Sequence, residues 1–152
     1  VPGLADPVRV RTCRRPDGEW AYAQNRLHDP VELTLRIEGG VDLTNLATGD
    51  SVPVKEGRAS LRLSGYQLVA LWARAGRARI VGGEATGTEA VSRRLTENVG
   101  RLRAALPKAA PDLVERAKAR LELTENLLRE GLLARAGHVL EEPWAGELEH
   151  IP

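Results

Sequence analysis

The chain has 152 residues, 42% of them hydrophobic and 28% charged, with a formal net charge of +1. A chain of this length can bury about 70% of the surface that its unfolded form exposes, so it needs no staple, and its composition is globular rather than disordered. The net charge excludes an overall electrostatic footprint for nucleic acid or an anionic membrane, no stretch approaches the ~20 apolar residues of a membrane helix, and one cysteine, Cys13, excludes an internal disulfide and a multi-cysteine zinc site while leaving the compartment undecided.

The opening, VPGLADP, has neither an initiating methionine nor a charged stretch leading into an apolar signal core, and reads as the start of a piece of something longer. From residue 7 to 81 the pattern is short, alternating and punctuated by turns. Eight candidate strands follow one another: VRVRTC, WAYAQN, VELTLRIE, VDLTNL, VPVK, ASLRLS, YQLVALWAR and ARIV. In the third, Val31, Leu33, Leu35 and Ile37 share one face and Glu32, Thr34, Arg36 and Glu38 the other, the alternation of a half-buried strand. Pro53 cannot donate to a ladder and assigns VPVK to an edge. The run from Tyr66 to Arg74 is apolar on both faces and predicts a central strand. Asp17-Gly18, Gly49-Asp50 and Glu56-Gly57 supply tight turns. Short strands at this spacing with no helix between them predict an antiparallel sandwich.

After residue 83 the period changes to about 3.6. Val91, Leu95, Val99, Leu102 and Leu106 form one helical stripe, with Thr88 as its N-cap. Pro111 opens a second helix, whose stripe runs through Val114, Ala117, Leu121, Thr124, Leu128 and Leu132, with Gly131 or Gly137 to bend or end it. The expected fold is α+β: an antiparallel β-sandwich of about seven to eight strands over residues 1–83, then a two-helix antiparallel hairpin and tail over 84–152, packed on the sandwich or on a missing neighbour. Leu123, Leu127 and Leu133 lie beside the second stripe and widen it into a candidate interaction surface, which leaves self-association open.

The chemistry-bearing candidates are thin. GGEATGT has the glycine spacing of a phosphate loop, but Thr88 and Glu89 stand where a lysine is needed and Glu84 repels an anion, so Gly82 and Gly87 read as a flexible linker. Cys13 could take His28 as a base, with no third group to orient it. Glu147 and His150 have the spacing of a helix-bundle metal ligand pair, but the motif occurs once where such a site needs it twice. No catalytic residue, cofactor or metal is therefore expected. The arginine run Arg9, Arg11, Arg14 and Arg15 reads as a solvated strand face, because no aromatics interleave with it as a single-strand binder requires. Neither nucleic acid nor a membrane is an expected partner. Trp20 and Tyr22 read as core unless Ala21 and Ala23 are the buried side; in that case the two aromatics make a candidate carbohydrate platform.

The stretch from Trp20 to Ala73, about a third of the chain, resembles the C-terminal β-sandwich of large multidomain glycoside hydrolases. The resemblance is carried by a strand ending in Asn25, a turn at Pro30, the segment Asn45, Leu46, Ala47, Thr48, Gly49, Asp50, and the run Leu61, Leu63, Tyr66, with Gly65 where that pattern has proline. It implies a noncatalytic accessory domain whose partner is the catalytic domain of its own chain, and carries over no catalytic residue. The helical segment departs from that pattern and leaves a second reading open, a protein interaction or oligomerisation module.

Overall fold

All eight period-2 segments form strands, and every pairing between them is antiparallel. The computed structural model describes Leu4 and residues 6–39, 41–74 and 78–150, so much of the opening VPGLADP lies outside the described residues. The chain divides into two compact units, Val1–Thr88 and Glu89–Pro152.

In the first unit, β1 (Val8–Arg15), β2 (Gly18–Asn25), β7 (Leu68–Arg74), β4 (Leu43–Asn45) and β5 (Ser51–Val52) form a five-stranded sheet in that spatial order. A three-stranded sheet has β3 (Val31–Glu38) between β6 (Arg58–Leu63) and β8 (Arg79–Thr86). The central position of β7 and the edge position of β5, just before Pro53, follow from the apolar faces of one and the missing donor of the other. Val31, Leu33, Leu35 and Ile37 are all within 5% of full burial while Glu32, Arg36 and Glu38 are exposed, so the alternation in β3 sorts core from solvent as read.

β2 ties the two sheets together at both its ends. Its inward positions are Glu19, Ala21, Ala23 and Asn25, all buried. Glu19 Oε1 accepts from the Ile80 amide on β8 at 3.2 Å, and its other oxygen lies 3.5 Å from Arg14. Asn25, fully buried, donates from Nδ2 to the carbonyls of Asp29 (2.8 Å) and Ser64 (2.9 Å), while its Oδ1 accepts from the Leu27 amide (3.0 Å). One side chain thus closes the turn after β2 and holds the turn after β6 against it.

The turn residues that carry the family resemblance also have structural roles. Asn45 Oδ1 caps the Ala47 amide, Thr48 Oγ accepts from the Asp50 amide, and Gly49 takes φ +78 between them. Asp42 accepts from the Val54 amide (2.9 Å) and the Ser51 hydroxyl (3.0 Å), and these bonds, the amide first, hold its carboxyl below its ordinary value of 3.8. A depressed carboxyl stabilises the fold above its unfolded value and stops doing so as the pH falls through its folded value. The difference in unfolding midpoint between the wild type and Asp42→Ala is therefore expected to be present at neutral pH and to vanish in acid below 3.8; a difference that grows in acid would contradict these bonds.

Tyr66 departs from expectation. It sits in the turn before β7 at φ +57 and is 57% exposed, not in a strand or in the core. The turn is forced by Gly65, where a Cβ would run into the backbone carbonyl of His28. Proline in the resembling pattern carries a Cβ too, so this turn is built differently here. Gly65→Ala is expected to cost about 1–3 kcal/mol, the range of an overpacked site, read as a shift in the urea midpoint; an unchanged midpoint would mean that the His28 backbone yields freely.

The boundary between strand and helix also moves. Gly82 and Gly83 belong to β8, not to a linker: Gly82 leaves room for the Arg36 guanidinium, and a Cβ on Gly83 would meet the Thr34 carbonyl. Gly87, at φ +81, makes the turn before α1 (Glu89–Ala105).

The second unit has four α-helices where two are expected: α1, α2 (Pro111–Arg129), α3 (Leu133–Leu140) and α4 (Pro143–Glu149). Val91, Leu95, Val99 and Leu102 of α1 are buried as the stripe predicts. In α2 the buried residues are Leu113, Ala117, Leu121 and Thr124. Gly131, at φ +72, ends α2: its amide donates to the Leu128 carbonyl and that of Leu132 to the Leu127 carbonyl, a paired C-terminal cap. Leu133 therefore starts a new helix, and α3 and α4 supply Leu133, Ala136, Val139, Leu140, Trp144 and Leu148 to the core of this unit.

Candidate binding face of the five-stranded sheet

Because side chains alternate along a strand, the burial of Ala21 and Ala23 sends Trp20 and Tyr22 to the outside of the five-stranded sheet, where both are half-buried. Pairing extends this face in rows. Cys13, Trp20, Trp72 and Thr44 lie side by side across β1, β2, β7 and β4, and Arg11, Tyr22 and Ala70 make the next row. Arg9, Gln24 and Leu68 follow, and Arg15, Gly18 and Arg74 stand at the opposite end. The rings of Trp20 and Trp72 are 6.4 Å apart between centroids and tilted by 52°. Leu68 is 56% exposed and Leu46, just past β4, 40%.

Gly18 seats the second tryptophan. A Cβ there would run into the Ala73 carbonyl and come within 2.5 Å of Trp72 Nε1, which is buried and has no hydrogen-bond partner among the described residues. Trp20 Nε1 donates to Asp17 at 3.3 Å, which fixes its ring beside an open cleft of about 580 Å³ lined by Cys13, Arg15, Pro16, Asp17 and Trp20.

The charge on this face is one-sided. Arg9, Arg11, Arg15 and Arg74 are at outward positions of β1 and β7, and none forms an ion pair among the described residues, whereas the exposed Arg14, of the opposite parity on β1, pairs with Glu19. No carboxylate occupies an outward position of β1, β2 or β7; the nearest in sequence is Asp17, in the turn. The sequence reading that no aromatic interleaves with these arginines is thus corrected in part: across strands Arg11 stands beside Tyr22, and Arg11 and Arg15 lie two residues to either side of the Cys13–Trp20 pair.

The other candidate residues do not converge. Cys13 is exposed and pairs with Trp20, while His28 lies beyond Asn25, the partner of Val8. Five residues of strand, about 17 Å, separate the two ends, and His28 packs edge-on against Tyr66 instead. Glu147 pairs with Arg116 at 3.1 Å, and no group of three or more His, Cys, Asp or Glu positioned to hold a metal occurs among the described residues. Of the three leucines read as an interaction surface, Leu123 is 39% exposed and Leu127 half-buried, but Leu133 is 5% exposed and belongs to the core of the helical unit.

No protein-family profile and no curated relative matches the chain. Among solved structures it is similar to a GH42 beta-galactosidase, with a TM-score of 0.34 and 16% identity over 45% of this chain, and to a DUF1425 family member from Shewanella sp. pv-4, with a TM-score of 0.26 and 21% identity over 52%. It spans 9% of the length of the first and 74% of the second. At these scores neither similarity defines a function.

Proposed function

We propose that this chain is a noncatalytic accessory domain of a carbohydrate-active enzyme of the glycoside hydrolase type, one that orients a catalytic domain of the same protein on its substrate. The observation that carries the reading is the outward placement of Trp20 and Tyr22, with Trp72 beside them, on a sheet whose other face supplies Val8, Val10, Ala21, Ala23, Val69 and Leu71 to the core. Three large aromatics kept out of the core form a contact surface, since half-exposed rings add nothing to the sandwich that aliphatic residues could not supply. The resemblance of Trp20–Ala73 to hydrolase sandwiches gives that surface its context. The buried carboxylate Glu19 is engaged by Arg14 and the Ile80 amide, bonds that hold β2 to β1 and to β8.

The test has two parts. The full reading frame around this chain is expected to encode an alternating strand-helix barrel, and the protein it encodes to hydrolyse a glycoside that the 152-residue chain alone leaves untouched. A frame without such a region, or turnover by the chain alone that is lost on replacing one carboxylate, overturns the proposal. The second reading, an interaction module built on the helical unit, is favoured by the exposure of Leu123 and weakened by the burial of Leu133.

A further inference from the structure

Resting on that reading, we infer that the outer face of the five-stranded sheet binds an anionic saccharide chain, one that bears uronate carboxylates, with the cleft beside Trp20 as its anchor. Two features of the face act together. Trp20, Tyr22 and Trp72 present apolar ring surface on which the C–H faces of pyranose rings stack. Arg11 and Arg15 flank that row from β1 with no carboxylate of their own to hold, and a guanidinium fork matches a carboxylate with two parallel hydrogen bonds. A neutral glycan would offer these arginines hydroxyl acceptors but no charge to match theirs.

Two further details favour a saccharide over a single-stranded nucleic acid, which also combines stacking with positive charge. The Trp20 and Trp72 planes are 52° apart, so a run of parallel stacked bases cannot lie on both, whereas successive sugar rings turn about each glycosidic bond and can. The Asp17 carboxylate accepts from Trp20 Nε1 in the lining of the cleft, which Arg15 shares. A carboxylate accepts from sugar hydroxyls, several of which each pyranose ring presents, while its charge opposes a uronate and a phosphodiester alike. Four arginines that form no ion pair among the described residues, Arg9, Arg11, Arg15 and Arg74, thus share one face with an indole pair.

The experiment is affinity electrophoresis of the intact 152-residue chain in gels containing polygalacturonate, a neutral xylan or, in solution competition, oligothymidylate. Retardation by polygalacturonate at low salt, little by xylan, and relief at high ionic strength are the expected results. Trp20→Ala is expected to weaken retention about tenfold, the scale of one lost stacking contact, and Arg11→Gln, a change at an exposed position, to weaken it several-fold at an unchanged thermal midpoint. Should Trp20→Ala fail to fold, Arg11→Gln and Arg15→Gln carry the test. No retardation by polygalacturonate, retention unaltered in the arginine variants, or displacement by oligothymidylate at lower charge concentration overturns the inference. Its failure is separable from that of the accessory role, which the reading frame decides on its own.

Discussion

Asn25→Asp is expected to be the most damaging single-atom exchange in the sandwich, costing about 3–5 kcal/mol at neutral pH, the range for a buried charge left without a partner. Asn25 is fully buried, and its Nδ2 faces the carbonyl oxygens of Asp29, Ser64 and, at 3.4 Å, Leu63. An aspartate sets a carboxylate oxygen against those acceptors in the same volume. Asn25→Ala removes the side chain and leaves the Leu27 amide and the carbonyls unpaired, at about 1–3 kcal/mol for each group that water cannot reach; the neighbouring turns can relax to limit that. Both variants should therefore be strongly destabilised at pH 7, and the response to pH tells them apart. Its introduced carboxyl has a folded value raised above the unfolded one by burial and by facing acceptors, so it destabilises least when protonated, and the variant recovers as the pH falls. Urea unfolding of both variants near neutral pH and in mild acid reads this directly. An aspartate variant as stable as the wild type at neutral pH, or one that weakens in acid, would show that Asn25 Nδ2 is not the donor.

What the sequence made legible was periodicity. Strand alternation is set by covalent geometry, and so β3, the central β7 and the edge at Pro53 could be read directly. The α1 stripe was legible for the same reason. What failed were readings that depended on a neighbour in space. Gly82 and Gly83 read as linker because the guanidinium of Arg36 and the backbone of Thr34 that require them are remote in sequence. Tyr66 read as strand because its apolar neighbours continued the pattern, while the close approach of Gly65 to His28 that bends the chain is a tertiary fact. Leu133 read as one more residue of a long helix because Gly131 gave no sign of whether it would bend that helix or stop it; the paired cap stops it, and the register of everything after it rotates.

The binding face was half legible for a related reason. Which side of β2 is buried is undecided by a strand that alternates alanine with aromatics, since either set can be core. The ends of the strand decide it. Glu19 and Asn25 share parity with the alanines, and their buried bonds to Ile80 and to the turns at Asp29 and Ser64 commit that face inward. Polar residues thus set the orientation of the aromatic ones.

The correction in the helical unit makes the second large prediction. Leu121 is 1% exposed on α2, between Ala117 and Thr124, both fully buried, and Leu121→Ala is expected to cost about 2–5 kcal/mol, the range for truncating a packed core leucine. Leu133 is 5% exposed on α3, and truncating it should behave in the same way if α3 closes this core, whereas Leu123→Ala, at a site 39% exposed, should fall within about 0.5 kcal/mol of the wild type. An interaction surface running through Leu123, Leu127 and Leu133 predicts the opposite pattern: little loss of stability at any of the three, and a sedimentation coefficient that falls with each. Thermal unfolding followed by helical circular dichroism, with sedimentation of the same samples, separates the two cases. Leu133→Ala matching Leu123→Ala instead of Leu121→Ala would mean that α3 does not pack as described, and would return these leucines to the interaction surface.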